Sequence, residues 1–473
     1  MNRIKRISAL CLTLALTLSM AACGGDGKKE ESSKKEDVVK VVTTNDIDPI
    51  PEGAESTLLY MGIDDLNPVG SAEKSVGLTL FEDKGGKIKW TRVTAQNQAT
   101  KLGAALTAGK DVPDIFKGGA FPYQVVQGFF QSVDEIVDFN EPLWIDVKAT
   151  ADQSVLNGKH YCVPLKFEAA AMIFYDKNVI TENGFDDPME LYYNDQWDYD
   201  AMDELMEEYV KGAEGDEVRY GINGYYAPQY VQQTGETLVK TDDYITYKNN
   251  LDNPKLAAAE DRLANWQKQG WVEPSWIGSA GEAFKKNILF YSMGAWAATG
   301  SGSGPTNTDN WGVVPMPKDP TYEGDLPISS ATTTQYMWVK GSTKKEAVKT
   351  FYECYRIAVT DPGYQQNTKD KWLEDNPNWS EEAYQIMADA ADPNKCLMIF
   401  DPAYGVSSLM SNDFSGFMTG VSLANWLYKS TSAPDEQGVS WTWTQIKEKH
   451  SPTVDAELKT LNENIKKFIA SDK

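Results

Sequence analysis

The strongest constraint on the fold is an alternation of strand-like and helix-like segments near the start of the folded region. Residues 58–63 and 87–93 have the apolar, alternating composition of strands, and we predict a helix between them. Residues 98–110 place apolar side chains at helical spacing, and residues 114–116 are predicted to form a third strand. This βαβαβ order predicts α/β lobes with largely parallel sheets.

The length of the chain indicates more than one domain. A chain of 473 residues exceeds what one hydrophobic core usually holds, so we predict two domains. Further helices are predicted after Asp198 and Asn253, which are suited to cap them, and over residues 343–359.

The first 22 residues have the layout of a secretory signal peptide. Three basic residues precede an apolar run that is too short to span a bilayer. The run ends in two alanines and Cys23, a pattern that resembles the lipobox of bacterial lipoproteins. The resemblance implies a lipidated Cys23 that anchors the protein on the extracytoplasmic face of a membrane; the alternative is an ordinary thiol beside a cleavage site. Residues 23–55 are polar and are predicted to form a flexible tether.

Charge and cysteine content restrict the partners and the covalent links. The formal net charge of −24 disfavours nucleic acid and anionic lipid surfaces as partners. With the leader removed and Cys23 acylated, Cys162, Cys354 and Cys396 remain. Three thiols cannot all pair within one chain.

Motifs for catalysis or cofactor binding are scarce. The chain has only two histidines, His160 and His450, and it lacks C-x-x-C, H-E-x-x-H, Walker and G-x-G-x-x-G patterns. The glycine-rich residues 300–304 do not fit G-x-S-x-G and predict a loop. A histidine-based triad stays open, although a structural or exposed role is the expectation for each histidine. Among 69 acidic residues, spacing alone identifies no glycosidase pair. We expect no cofactor and no metal.

Five segments carry motifs that occur together, and in this order, in one family. They are GKDVPDI at residues 109–115, GKHYCVP at 158–164, AMIFYDKNV at 171–179, AFKKN to Trp296 at 283–296, and WGVVPMP at 311–317. Together they resemble the family 1 extracellular solute-binding proteins, of the maltose-binding-protein type. Asp176 and Asn287 depart from the family pattern, which has Asn and Gly at these places.

The resemblance implies a two-lobed periplasmic-binding-protein fold of the class II type, with a ligand cleft between the lobes. It also implies a monomeric receptor without catalysis, which captures a carbohydrate, expected to be an oligosaccharide, and delivers it to the transmembrane subunits of an ABC importer. Three crossings between the lobes would lie at residues 164–168, 287–291 and 339–342. The N-terminal lobe would comprise residues 56–165 and 290–338, and the C-terminal lobe residues 166–289 and 339–473.

Polar candidates for the ligand site follow the predicted strands, because open α/β lobes bind ligands at the carboxyl ends of their strands. Asp64 and Asp65 follow the first strand and can accept hydrogen bonds from hydroxyl groups; the alternative is a turn or helix-capping role. Glu168 matches a ligand-contacting glutamate of the maltose-binding-protein type, and the alternative is an ion pair at the hinge.

Aromatic candidates complete the site. By the same resemblance, Tyr225, Tyr226 and Trp296 match rings that contact the ligand, whereas the alternative for Trp296 is core packing. An indole can cover the apolar C–H face of a pyranose while carboxylates bind its polar rim. Residues 117–120 replace a stretch that supplies a Trp and an acid–base pair in that type, which puts maltose in doubt, and Tyr123 is the candidate to compensate.

Two other functions stay open at this point. One is an extracytoplasmic carbohydrate-active enzyme, because carboxylates and exposed rings also build glycosidase sites. The other is the same receptor fold with a non-sugar ligand such as a peptide or a polyol derivative.

Overall fold

The computed structural model describes residues 42–67, 74–94, 97–169, 171–299, 310–329, 331–411, 422–429 and 440–471. The predicted signal peptide, Cys23, most of the tether and residues 300–304 lie outside these ranges. The described strands are β1 Thr57–Gly62, β2 Lys87–Arg92, β3 Ile115–Lys117, β4 Val155–Leu156, β5 Lys159–His160, β6 Val163–Ala169, β7 Met172–Asp176, β8 Tyr220–Gly224, β9 Val239–Thr241, β10 Tyr247–Asn249, β11 Ile288–Met293, β12 Trp311–Pro315, β13 Ile328–Ser329, β14 Ala331–Trp338 and β15 Leu397–Met398.

The described α-helices alternate with these strands. They are α1 Val76–Asp83, α2 Gln98–Ala108, α3 Tyr123–Val126, α4 Lys148–Ala151, α5 Lys177–Asn183, α6 Pro188–Tyr193, α7 Tyr199–Lys211, α8 Ala227–Gln232, α9 Pro254–Lys268, α10 Ala280–Phe284, α11 Lys345–Thr360, α12 Pro362–Asp375, α13 Glu381–Asp389, α14 Ser408–Ser411, α15 Leu423–Lys429 and α16 Trp443–Ser471. Short 3₁₀ helices occupy Thr44–Asp46, Ile145–Val147, Asp152–Ser154, Ala295–Thr299 and Pro402–Gly405.

The first sheet has the strand order β2-β1-β3-β14-β6, and we call the part of the chain built on it the first lobe. Strand β1 is parallel to both β2 and β3, with Leu58 opposite Ile88 and Met61 opposite Phe116. The predicted βαβαβ order is therefore confirmed. Strand β14, which belongs to a later part of the chain, runs antiparallel to β3 and β6.

The second sheet has the order β12-β7-β11-β8 and defines the second lobe. Strands β11 and β8 are parallel, whereas β7 is antiparallel to both β11 and β12. The prediction of largely parallel sheets is wrong, because two of the four strand pairs in the first sheet and two of the three in the second are antiparallel. The predicted helix α7 packs on β8, and α9 packs on α8. Asp198 and Asn253 cap them with their side chains, as expected.

Helices α1 and α11 cover one face of the first sheet. Phe351 of α11 packs edge-to-face on Phe81 of α1 and on Tyr336 of β14. The buried Arg356 side chain donates hydrogen bonds from Nε to the Leu143 carbonyl oxygen at 3.2 Å and from Nη1 to the Leu165 carbonyl oxygen at 3.1 Å. These bonds join α11 to β6 and to the preceding loop.

The sheet memberships place the passages between the lobes differently from the predicted positions. The first passage lies between Ala169 and Met172, after the predicted residues 164–168, which belong to β6. The second lies between Pro315 and Ala331, because β11 and β12 both belong to the second sheet. Residues 290–315 therefore do not join the first lobe. The apolar run of β11 is buried at every position because β11 is a central strand, not a crossing segment.

The third passage also lies later than residues 339–342. Helix α11 packs on β1 and β6 of the first sheet, whereas α13 packs on β12 of the second sheet. The chain therefore leaves the first lobe after Thr360 instead of after Val339.

The thiols of Cys162, Cys354 and Cys396 are free and buried. In the described ranges, none of the helices combines the length and apolarity that a membrane span needs.

Candidate functional site

The carboxyl ends of strands from both sheets meet at one place in the fold. Strand β6 of the first sheet ends at Ala169, three residues before β7 begins at Met172. Met172 lies opposite Met293, the last residue of β11. Strand β8 is parallel to β11 and ends beside it at Gly224. Residues that follow β6, β8 and β11 are therefore brought together, as the general rule for α/β lobes predicts.

A glycine sets the path of the chain out of β8. Gly224 has φ +98°, and a Cβ atom at this position would overlap the carbonyl oxygen of Ser292 in β11. The close approach lets the Tyr225 amide donate to the same Ser292 oxygen at 2.6 Å, while Ser292 Oγ donates to the Tyr225 carbonyl at 2.8 Å. The segment after β8 is thus fixed against the end of β11.

The two tyrosines after β8 are buried. Tyr225 is 2% exposed, and its hydroxyl accepts a hydrogen bond from Asn425 Nδ2 at 2.9 Å. Tyr226 is 6% exposed, and its ring lies 5.8 Å from that of Trp266. Both predicted ligand-contacting rings therefore contribute to packing under α8 and α15 rather than to the protein surface.

Trp296 remains accessible. It lies in the 3₁₀ helix Ala295–Thr299 directly after β11, and it is 37% exposed, whereas its neighbours Ala297 and Ala298 are buried. Trp379 Nε1 donates to the Ala298 carbonyl oxygen at 3.0 Å, which holds this turn. The turn also lies against β6 of the first sheet. An indole is thereby presented beside the passage between the lobes.

The structure adds Trp276, which the sequence analysis did not single out. Its side chain is 59% exposed, and its ring packs edge-to-face on Tyr225 with the ring centroids 6.1 Å apart. The loop that carries Trp276 follows Val272, which forms an isolated parallel bridge with Ile222 of β8. The only sequence signal was a Trp after Pro274-Ser275, next to a short apolar segment.

Asn223 fixes the loop that presents Trp276. The Asn223 side chain is buried, and its Nδ2 donates to the carbonyl oxygens of Glu273 and Ser275, both at 3.0 Å. Its Oδ1 accepts from the Ile277 amide at 3.3 Å, and Tyr291 donates its hydroxyl to the Ile277 carbonyl at 2.8 Å. The exposed indole therefore stands on a loop with ordered backbone hydrogen bonds on both sides.

The acidic candidates of the first sheet differ in role. Asp64 follows β1 and forms an ion pair with Lys117 at the end of β3, with 2.8 Å between Oδ2 and Nζ. Its side chain is 62% exposed and can still accept hydrogen bonds. Asp65 accepts from the Asn67 amide at 2.9 Å, which is the turn role that the sequence left open. The strand ends thus carry an exposed charged pair.

Tyr123 and Glu168 are half-buried. Tyr123 begins the short helix α3, and Glu168 lies in β6 one residue before its end. The exposed Lys166 lies two residues before Glu168, so the two side chains lie on the same face of β6. A cation and a carboxylate therefore lie side by side on the strand that leads into the first passage.

Both histidines contact neighbouring side chains. His160 Nδ1 and Nε2 lie 2.7 Å from Asp134 and 2.9 Å from Asp152, so both ring nitrogens are occupied by carboxylates. His450 packs on the ring of Trp426, and burial lowers its pKa. Over the described ranges, no cluster of three His, Cys, Asp or Glu side chains is arranged to hold a metal ion.

Two cavities lie away from these residues. One, of about 390 Å³, lies between the β9–β10 hairpin and α16, where Tyr247 and Leu458 line it. The other, of about 220 Å³, lies at the end of β12 and is lined by residues such as Trp197 and Met316. Neither includes a predicted ligand-contacting residue.

The fold, the paired strand ends and the sequence define an extracellular solute-binding protein. The family model for bacterial extracellular solute-binding proteins matches residues 64–356, which is more than half of the chain, and the chain belongs to this family. The location of the family is extracytoplasmic. No curated protein matches the sequence of the chain.

Solved structures with the same two-lobed fold share little sequence with the chain. The galacto-N-biose-/lacto-N-biose I-binding protein of an ABC transporter from Bifidobacterium longum, in complex with lacto-N-biose, aligns with a TM-score of 0.58 at 15% identity, over 87% of this chain and 99% of that one. The GacH receptor of Streptomyces glaucescens aligns with a TM-score of 0.55 at 15% identity, over 85% and 98%. A sugar transporter from Rhizobium etli in an open conformation aligns with a TM-score of 0.55 at 18% identity, over 87% and 99%.

Proposed function

We propose that the protein is a receptor that captures an oligosaccharide and delivers it to the transmembrane subunits of an ABC importer. The observation that carries this proposal is the pair of accessible indoles: Trp276, on a loop that Asn223 of β8 holds, and Trp296, on the turn after β11. Structurally similar proteins are described with lacto-N-biose, acarbose and maltotetraose. These ligands are carbohydrates of two or more sugar-sized rings or their analogues.

The chemistry of the proposed site suits a sugar. The two indoles offer flat apolar surfaces for the C–H faces of pyranose rings. Asp64 and Glu168 offer carboxylate oxygens that accept hydrogen bonds from hydroxyl groups, and Lys117 and Lys166 offer donors. Tyr123 adds a half-buried ring on the first lobe. We propose that the buried Tyr225 and Tyr226 hold the site residues in place without contacting the ligand, because Tyr225 packs on Trp276.

We infer binding without catalysis. The family consists of solute-binding proteins, and both ring nitrogens of His160 are held by carboxylates. The competing interpretation is a carbohydrate-active enzyme. Incubation with oligosaccharides followed by chromatography separates the two: unchanged sugar retained at a fixed ratio to protein supports the receptor, and shortened products favour the enzyme.

The ligand class is tested by melting the protein with a panel of oligosaccharides, short peptides and polyols. A ligand at 100 times its dissociation constant stabilises the folded state by about 2.7 kcal/mol. This stabilisation raises the melting temperature by a readily measured amount. A sugar that raises it, confirmed by calorimetric titration, supports the proposal. Stabilisation by peptides alone would replace the sugar ligand while leaving the receptor fold in place.

Delivery to an importer is tested in cells. Deleting the gene for this chain should lower uptake of the identified radiolabelled sugar, and expression of the wild-type chain should restore it. Restoration by a Trp276→Ala, Trp296→Ala double variant at low sugar concentration would contradict the proposed site. Uptake that does not depend on the chain would contradict the transport role itself.

We further propose that Cys23 is acylated and holds the receptor on the extracytoplasmic face of the membrane as a monomer. The support is the order of basic start, short apolar run, small residues, cysteine and polar tether. Cys23→Ser should release a soluble form or leave an uncleaved precursor, and it should not incorporate radioactive palmitate. A fully processed, membrane-bound Cys23→Ser variant would contradict the lipid anchor.

A further inference from the structure

The cavity at the end of β12 has walls from separate parts of the fold. Trp197, Pro315 and Met316 line it from the second lobe. Ile328 lines it from the segment through which the chain returns to the first sheet, and Ala390 and Cys396 form the far wall. Its volume is about 220 Å³. Because an apolar cavity of about 150 Å³ already accepts benzene, a substituted six-membered ring fits this space.

Four polar side chains of the walls have partners within the protein. Trp197 Nε1 donates to the Pro315 carbonyl oxygen at 2.8 Å, and the Ser329 hydroxyl donates to the Ala390 carbonyl oxygen. At the mouth, Lys318 forms an exposed ion pair with Asp195. A molecule in the cavity therefore does not need to form hydrogen bonds with these groups.

Gln233 differs from these four side chains. Its residue is 3% exposed and lines the cavity, at the carboxyl end of α8. Its Nε2 forms a single long hydrogen bond of 3.5 Å to the Gln229 carbonyl oxygen. Within the part of the chain that the structure describes, the Gln233 Oε1 accepts no hydrogen bond. Because Gln233 lines the cavity, this amide oxygen can accept a hydrogen bond from a hydroxyl group there.

We infer that this cavity is a second small-molecule site, which binds a ring-sized, mainly apolar molecule with one hydroxyl group. The ring contacts Trp197, Met316 and Ile328, and the hydroxyl donates to Gln233 Oε1. The site is separate from the proposed sugar site, because it contains neither Trp276 nor Trp296. Its occupant would touch the segment between Pro315 and Ala331, which forms the second passage between the lobes.

Phenol is the probe that tests this site, and toluene, which lacks the hydroxyl group, is the comparison molecule. Both dissociation constants are measured by NMR titration on the mature chain. Gln233→Leu keeps the size of the side chain and removes the acceptor, so it should weaken phenol about fivefold and leave toluene unchanged. Ala390→Met fills the cavity and should abolish binding of both molecules. Val218→Ala, at an exposed position outside both sites, should bind phenol as the wild type does.

Three results would overturn the inference. They are the absence of phenol binding, equal phenol affinity in the wild type and Gln233→Leu, and unchanged affinity in a folded Ala390→Met variant. If Ala390→Met does not fold, a crystal soaked with 4-bromophenol decides the matter through the anomalous signal of bromine. A peak between Trp197 and Gln233 supports the site, and a peak elsewhere contradicts it.

Discussion

Gly405 touches the backbone of Phe121 so closely that a Cβ atom at position 405 would overlap the Phe121 carbonyl oxygen. Phe121 belongs to the loop between β3 and α3 of the first lobe. Gly405 ends the 3₁₀ helix that follows Asp401, and the Asp401 carboxylate accepts the Leu238 amide of the second lobe at 2.7 Å. The two lobes therefore meet here backbone to backbone.

Gly405→Ala should push the lobes apart at this contact. The φ of Gly405 is outside the left-handed region, so alanine is compatible with the local backbone and the effect is steric. We expect a larger radius of gyration in small-angle scattering and weaker binding of the identified sugar, because the ligand must contact both lobes at once. Gly363→Ala, at an exposed position on α12, is the matched control. If the folded Gly405→Ala variant has the same scattering and sugar affinity as the wild type, the Gly405–Phe121 contact does not control the separation of the lobes.

Trp276→Ala and Trp296→Ala should each weaken sugar binding by about 30-fold, because each removes an aromatic surface from the proposed site. Both side chains are accessible, so the melting temperature without sugar should stay close to that of the wild type. Calorimetric titration measures the affinity. Tyr193→Ala removes another exposed ring, 53% accessible and outside the site, and should bind as the wild type does. Loss of the fold in either Trp variant would instead indicate core packing.

Asn223→Ala should act through Trp276. The change removes two hydrogen bonds to backbone carbonyls and one from an amide, which should destabilise the fold by about 1–3 kcal/mol. It should also weaken sugar binding, because the loop no longer holds the indole. In a double-mutant cycle, Asn223→Ala and Trp276→Ala together should cost less affinity than the sum of the single changes. Additive losses would show that Asn223 does not position Trp276.

The sequence predicted the β1–β3 part of the first lobe well because its signals are local. The apolar spacing of α2 and the strands around it belong to one continuous segment, so periodicity was enough. The apolar run of β11 correctly indicated a buried strand. It could not indicate the sheet, because membership depends on pairing with β7 and β8, which lie far away in the chain.

The candidate site was harder to predict because exposure is set by distant packing. Tyr225 and Tyr226 follow a strand, as binding residues often do, yet packing under later helices such as α15 buries them. Trp276 carries no periodic signal, and its presentation depends on Asn223, more than 50 residues earlier. Trp296 was identifiable because a family motif surrounds it.

Asp203 should make the stability of the protein depend on pH in mildly acidic solution. Burial raises the pKa of Asp203 from 3.8 to about 6, although the Trp266 indole N–H and the Arg262 guanidinium favour its charged form. The Asp203 carboxylate accepts from Trp266 Nε1 at 2.6 Å and from Arg262 Nη1 at 2.9 Å. The folded state therefore binds this proton more tightly than the unfolded state, and the contribution is largest below about pH 4.

That contribution should be lost as the pH rises through about 6, and it should reach about 3 kcal/mol at most, since one pKa unit corresponds to about 1.4 kcal/mol. Urea unfolding of the wild type and of Asp203→Asn from pH 4 to 8 measures it, because the other acidic groups cancel in the difference. We expect the wild type to lose free energy of unfolding relative to Asp203→Asn between about pH 4 and 6, and the two curves to run parallel above pH 7. A wild type that gains stability relative to the variant over the same interval would show that attraction to Arg262 outweighs burial at this site.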